Sequence, residues 1–384
     1  MRAASRDLAP SAYYPHVGGI EELTRQLALA LGARGHAVAV LTNRWPEGVQ
    51  TSEVLDGIDV TRLRFPLPAA EPFRAARFLA TSPAAAFALV RHLHRWRPHI
   101  VHVIGAGPQS VYLGTLRPHF AARLIFTGQG ELTFDANGIF HRSVISRAGL
   151  RRIMRGAHAV TACSAYVLRD LEAFCDVRGS TYVIPNGVDP AAFADTEQDQ
   201  NEFGRYILAV GRIVPQKAFD VLLDALCSEL LAGMNLVIAG DGFERPRLER
   251  RAAELNIASR VRFLGSVDRA RLPRLMRGAC VFAFPSRGEP FGIALLEAMA
   301  AGLPAVATAS GGIPEFARDG ENALLVPPDN PQAFAVALAR LATDAELRQR
   351  LAAGGRKTAR ELDWTHLVTR YEGVYRDALQ AGPT

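Results

Sequence analysis

Along most of its length the chain alternates short apolar runs with longer amphipathic stretches, and it does so in two successive series. This alternation limits the fold more than any other feature, because parallel strands need crossover helices and are buried on both faces. In the first series Ile20, Leu23, Leu27, Ala30 and Leu31 share one face of a helix predicted over Gly19 to Ala33. Strands are predicted at Ala37 to Leu41, Ile100 to Ile104, Leu124 to Thr127, Ala159 to Ala162 and Tyr182 to Ile184. The second series predicts strands at Tyr206 to Val210, Leu236 to Ala239, Val261 to Leu264, Val281 to Phe284, Ala305 to Thr308 and Leu324 to Val326. The expectation is two doubly wound α/β domains, residues 1–187 and 188–363. The boundary follows Pro185-Asn186-Gly187, with the polar stretch Asp195 to Asn201 as the exposed link. A last helix, about Trp364 to Ala378, follows Gly354-Gly355 and is expected to pack back across the link. The opening fits poorly: Met1 to Pro10 alternates weakly and makes a poor first strand for such a domain.

A length of 384 residues, 49% hydrophobic and 21% charged, suits two buried cores and excludes a disordered or fibrous chain. The four cysteines are scattered singly, so neither a disulfide framework nor a zinc site is expected. Met1 to Pro10 has no apolar run of the signal-peptide type, which places the expected location in the cytoplasm. Residues 1–185 hold 21 Arg against 13 Asp and Glu, while the remainder holds 23 basic against 25 acidic groups. The positive excess therefore belongs to the first half. It suits an anionic substrate or membrane surface, or it simply reflects base usage. His141 to His158 carries Arg142, Arg147, Arg151, Arg152 and Arg155 among apolar residues, a basic amphipathic helix open either to solvent or to an anionic bilayer.

The stretch Phe284-Pro-Ser-Arg-Gly-Glu289-Pro-Phe-Gly-Ile-Ala-Leu-Leu-Glu297 is the richest in chemistry. It predicts a strand, a polar loop carrying Glu289, and a helix from Pro290 or Phe291 with Glu297 about two turns in. The amides of Phe291, Gly292 and Ile293 would then face the mouth of the sheet, where a phosphate is favoured by free N–H donors and the helix dipole. The alternative is that Glu289 caps the helix and Glu297 is solvated or paired.

A second cluster, Gly211-Arg212-Ile-Val-Pro-Gln216-Lys217, also follows a strand. Only two lysines occur, Lys217 and Lys357, so a lysine in this loop suggests a need for a compact ammonium. Arg212 and Lys217 can together neutralise a departing diphosphate, or form surface pairs with Asp220 or Asp224. Gly240-Asp241-Gly242 reads first as a structural turn that lets backbone approach a ligand. In the first half, Gly18-Gly19 precede the amphipathic helix and leave amides open, and Gln129 and Glu131 close a strand at the same edge. Gly18, Gln129 and Glu131 are thus candidates for acceptor or sugar contact, the alternatives being a plain flexible turn at the glycines and polar side chains that simply face solvent at Gln129 and Glu131.

Together these stretches resemble the retaining, two-Rossmann-domain (GT-B) glycosyltransferases of family 4, and the resemblance spans nearly the whole chain. It rests on Pro15-His-Val-Gly-Gly-Ile-Glu21, Ile184-Pro-Asn-Gly-Val-Asp189, Gly211-Arg212 with Gln216-Lys217, Gly240-Asp-Gly242, the Glu289 to Glu297 pair, Gly311-Gly-Ile-Pro-Glu315, and Asp319-Gly-Glu-Asn322 with Val326-Pro-Pro-Asp329. The resemblance implies two Rossmann-like domains facing a central cleft, acceptor-binding first and nucleotide-sugar-binding second, with residues 364–384 crossing back. It implies transfer of a sugar from a nucleotide diphosphate donor to a hydroxyl acceptor, lipid-linked or soluble, in glycan, glycolipid or glycoconjugate biosynthesis. By the same resemblance Arg212 and Lys217 bind the diphosphate, Glu297 the ribose and Glu289 the transferred sugar, with Gly19 near the phosphate. Configuration is retained, and no metal, cofactor or nucleic acid is expected. The basic first domain suits peripheral contact with the inner face of an anionic membrane. Gln129 stands where many members place a histidine; it can hydrogen-bond but cannot titrate near neutral pH. A nucleotide-sugar-binding homologue without transfer, or a nucleotide-sugar epimerase, are the other readings. A nicotinamide dehydrogenase lacks its G-x-G-x-x-G signal here.

Overall fold

A computed structural model describes residues 5–16, 18–46, 48–68, 72–134, 138–194 and 203–381. The proposed link Asp195 to Asn201 and Val17 of the first glycine motif lie outside the described residues. The chain divides into two compact units, one formed by Met1–Pro185 with Trp364–Thr384, the other by Asn186–Asp363.

The first unit runs β1 (Ser5–Pro10), α1 (Gly19–Ala33), β2 (Ala37–Asn43), β3 (Ser52–Leu55), β4 (Ile58–Leu63), α2 (Pro72–Trp96), β5 (Ile100–Ile104), α3 (Pro108–Thr115), β6 (Arg123–Gly128), α4 (Ile139–Arg142), α5 (Val144–Gly156), β7 (Ala159–Ala162), α6 (Ala165–Phe174) and β8 (Ser180–Val183). Its sheet has the order β3-β4-β2-β1-β5-β6-β7-β8, parallel except for the β3/β4 hairpin. That hairpin turns at Asp56 and Gly57, both at positive φ, the geometry that matches strand twist in a tight turn.

The weak opening segment is nonetheless a strand, and a central one, flanked by β2 and β5. Its polar residues are buried with distant partners. Asp7, fully buried, accepts from His92 of α2 at 2.8 Å. Arg6, 2% exposed, lies 5.0 Å over the Tyr375 ring. Successive strand residues face opposite sides of a sheet, so each charge meets a different helix.

The second unit follows with α7 (Ala191–Ala194), β9 (Tyr206–Val210), α8 (Phe219–Leu226), β10 (Asn235–Ala239), α9 (Arg245–Glu254), β11 (Val261–Gly265), α10 (Leu272–Gly278), β12 (Val281–Phe284), α11 (Ile293–Ala301), β13 (Ala305–Thr308), β14 (Leu324–Val326), α12 (Pro331–Thr343) and α13 (Ala345–Glu361). Its sheet is wholly parallel in the order β11-β10-β9-β12-β13-β14. Core residues such as Ile207, Ala209, Leu236, Ile238, Val281 and Ala283 pack against Leu222, Leu226, Phe334 and Leu338 of the covering helices. Gly354 and Gly355 lie inside α13 rather than ending it.

The last helix, α14 (Trp364–Gln380), belongs to the first unit. Glu372 accepts from Arg34 at 2.8 Å and contacts His36 at 2.8 Å. Tyr375 meets the buried His102 at 2.8 Å, and burial pushes that imidazole down to about 3, so it is neutral. Among the described residues no helix is long and apolar enough to cross a membrane.

Candidate functional site

In the second sheet β9 is followed in space by β10 on one side and β12 on the other. The loops leaving β9 and β12 therefore diverge at a topological switch point, where open parallel sheets offer a crevice beyond their carboxyl ends. Arg212 and Lys217 leave β9, and Glu289 leaves β12. Lys217 Nζ donates to Glu289 Oε2 at 2.5 Å and lies 5.1 Å over the Phe284 ring. Ser286 Oγ donates to the same Oε2 at 3.2 Å, whereas Oε1 of Glu289 makes no hydrogen bond among the described residues. Arg212 is exposed, and its guanidinium has no ion pair or hydrogen bond there either.

The helix after Glu289 begins later than the sequence suggests. Pro290 precedes α11 instead of opening it, and Glu297 is one turn in, not two. The cap is Gly292, whose φ of 108° is a conformation that favours glycine. Phe291 is buried and stacks on Phe316 at 4.7 Å, so it offers a ligand its amide alone. The first amides of α11, at Ile293 and Ala294, have no partner among the described residues and lie at the positive end of the helix dipole. Glu297 is buried, and Arg269 Nη2 donates to its Oε1 at 2.8 Å.

Lys217 does not pair with Asp220 or Asp224. Arg287 takes Asp220 through Nη1 and Nη2 at 3.2 and 2.9 Å, and Arg251 takes Asp224. Burial opposes ionisation of Asp220, but the Arg287 hydrogen bond and charge outweigh it and hold that carboxyl below its ordinary value. Arg287 also donates to Pro215 O at 2.7 Å and Asp329 Oδ1 at 2.6 Å, while its amide donates to Gln216 O at 2.8 Å. It thus brackets the loop of Lys217 to the loop of Glu289. Sequence reasoning missed Arg287 and Arg269, because their partners are scattered between positions 215 and 329. Gly211 and Gly240 pass so closely that a side chain at 240 would overlap Gly211 O. Gly240 and Gly242 therefore support the loop carrying Arg212.

In the first unit, Gly18 caps α1 in extended conformation and Gly19 opens it. The first turn holds two carboxylates: Glu21 contacts His16 Nδ1 at 2.5 Å, and Glu22 accepts from Tyr14 Oη at 2.7 Å. A ligand at those amides would lie beside acidic side chains. Glu131 is buried and accepts from the amides of Ala106 at 3.0 Å and Gln129 at 2.9 Å. Desolvation raises its pKa against those hydrogen bonds. It clasps the loops after β5 and β6, while Gln129 remains half-buried at the same edge. No cluster of three His, Cys, Asp or Glu suited to a metal ion occurs among the described residues.

Two family models divide the chain: Glycosyltransferase Family 4 matches residues 17–192, and Glycosyl transferases group 1 matches residues 193–358. The phosphatidyl-myo-inositol mannosyltransferase of Mycobacterium tuberculosis is 30% identical over 380 residues, covering 95% of this chain and 94% of that protein. The D-inositol 3-phosphate glycosyltransferase of Salinispora tropica is 38% identical over 221 residues, 55% of this chain and 45% of that protein. The match thus spans about half the length of relatives of that name. In fold, the sucrose-phosphate synthase of Thermosynechococcus elongatus superposes with a TM-score of 0.83 at 23% identity, covering 99% of this chain and 100% of that one.

Proposed function

The chain belongs to family 4 of the GT-B glycosyltransferases, and from that premise we propose that it moves a sugar from a nucleotide diphosphate donor to a hydroxyl acceptor, with retention of configuration and without a metal. The C-terminal unit holds the donor. Arg212, Lys217 and the opening amides of α11 take the diphosphate, which gains charge as the glycosidic bond breaks; donors placed in advance where charge develops lower that barrier most. Glu289 holds the transferred sugar through Oε1, its Oε2 being tied to Lys217 and Ser286. Glu297, oriented by Arg269, accepts from the ribose hydroxyls.

The observation that carries this reading is the Lys217–Glu289 contact at the switch point, beside amides of α11 that have no partner among the described residues. The N-terminal unit takes the acceptor, with Gly18, Gly19 and Gln129 as contacts and Glu131 shaping the loops. The name of the mycobacterial relative makes an inositol lipid the first acceptor to test and a soluble hydroxyl acceptor the second. The basic face of α5 supplies peripheral contact with an anionic membrane.

The test is a thermal-shift screen across UDP, GDP and ADP sugars, followed by a transfer assay in chelator. Binding raises the melting point with the logarithm of ligand concentration. Stabilisation by one donor class, lost in Lys217→Ala, and transfer surviving chelation support the reading. A metal requirement, or stabilisation indifferent to Lys217, defeats it.

A further inference from the structure

Two adjoining cavities, about 550 and 480 Å³, open on the C-terminal unit. They share Ala279, Gly302, Pro304 and Arg356, which lie on the segments entering β12 and β13. They therefore occupy the amino-terminal edge of the parallel sheet, at the opposite end of its strands from Lys217 and Glu289. Strands of four or five residues put roughly 15 Å between the two edges.

Among the described residues, five guanidinium groups line this groove: Arg205, Arg277, Arg348, Arg356 and Arg360. Among the described residues, none that lines either cavity is acidic. Arg205, Arg277 and Arg348 donate to the backbone carbonyls of Ala342, Ala194 and Leu341, contacts that fix their positions without cancelling charge. The Arg356 guanidinium lies against Gly302 and has no ion pair or hydrogen bond among the described residues. Residues 186–363 hold 21 basic against 23 acidic groups, so this concentration runs against the balance of the half that carries it. Like charges gathered round a concavity repel one another and focus a positive potential into it. Planar guanidinium groups match phosphate oxygens in pairs, and Phe193, Met276 and Leu303 offer an apolar wall to the rest of a ligand. The volumes fall in the range of small-molecule sites.

We propose that this groove is a second anion site that binds a soluble phosphate monoester, separate from the donor loops. The test is calorimetric titration of the full chain with glucose 6-phosphate, alone and with saturating UDP. Saturable binding is expected in both, unchanged in Lys217→Ala and weakened at least about tenfold in Arg356→Ala and further in Arg356→Glu. The Lys217 and Arg356 arms separate failure here from failure of the donor assignment. Competition by UDP, or loss in Lys217→Ala, would assign the binding to the donor loops and overturn the proposal. So would an unchanged Arg356→Glu, no binding up to about 10 mM, or binding to phosphatidic acid vesicles with none to glucose 6-phosphate. Binding that emerges only when Asp195, Glu197, Asp199 and Glu202 are replaced by their amides would assign the groove to the chain's own acidic stretch, and would equally overturn it.

Discussion

Lys217 Nζ lies 2.5 Å from Glu289 Oε2, across 72 positions of sequence. Each residue leaves the end of a different strand, so the contact joins the two loops that flank the switch point. Removing a group aimed at developing charge costs about 10²–10³ in rate. Lys217→Ala and Glu289→Ala are each expected to lose transfer by that order. Both side chains sit in loops, so the melting point should stay within about 5 °C of wild type. Initial rates and calorimetric melting on the same preparations check this; a near wild-type rate in either folded variant would remove the basis of the donor assignment.

Arg287 should matter through position. It holds Pro215 O, Asp220 and Asp329 together, and so sets where Lys217 stands relative to Glu289. Arg287→Ala leaves Asp220 partly buried without its main partner. The expected cost is about 1–2 kcal/mol of stability and a donor KM raised about tenfold. Arg287→Lys keeps one charge contact but not the planar fork that reaches three acceptors, so it should recover stability more than KM. Parallel recovery of both would mean that Arg287 supports the fold alone.

The fold was legible where strands are buried on both faces, because such strands read as continuous apolar runs: β9, β12 and β13 match the sequence expectation residue for residue. Legibility failed where burial is polar. Arg6 and Asp7 are core residues of a central strand, but their partners Tyr375 and His92 are far along the chain and invisible to local pattern. The β3/β4 hairpin, an edge with alternating exposure, offers only the Asp56-Gly57 turn as a signal. In the site, Glu289 and Lys217 stood out by residue type and by the loop each occupies. Arg287 and Arg269 did not, because what they do depends on which carboxylates and carbonyls the fold brings to them.

Acid should loosen α14 first. The Arg34 hydrogen bond, helped by His36, holds the Glu372 carboxyl down at about 2, against an ordinary 4.5. A carboxyl lowered by folding stabilises the native state fully above its unfolded value and loses that contribution as pH falls through its folded value. Stability should therefore decline between about pH 4.5 and 2 on this account. Glu372→Gln should melt lower at pH 7 and show a shallower decline across that window. Melting curves at stepped pH read both; an unchanged acid slope in Glu372→Gln would shift the effect to other carboxylates.

The basic face of α5 predicts salt-sensitive attachment to anionic vesicles. Arg147 and Arg151 stack over Phe174 at 5.8 and 4.6 Å, while Arg152 and Arg155 are exposed. Each arginine near an anionic surface contributes about 1 kcal/mol. Arg152→Glu with Arg155→Glu should weaken co-sedimentation with phosphatidylglycerol vesicles at least about tenfold at low salt. Neutral vesicles should bind neither protein; equal binding of both forms would remove α5 from the surface contact.

The pairing of Glu297 with Arg269 makes a prediction of a different kind, because it concerns binding that is the same before and during reaction. The Arg269 hydrogen bond at 2.8 Å fixes a buried carboxylate that the proposed ribose would share. The ribose is remote from the bond that breaks, so its contacts are made equally in the bound donor and in the transition state. Such uniform binding sets KM and leaves kcat alone. Arg269→Ala, which lets the carboxylate turn, should raise the donor KM by about three- to tenfold with kcat within about twofold. Glu297→Gln should do the same, and the double variant should cost less than the sum of the two because the residues act as one unit. A fall in kcat with KM unchanged would place Glu297 at the reacting centre instead, and Glu289 would no longer be the carboxylate that the sugar meets.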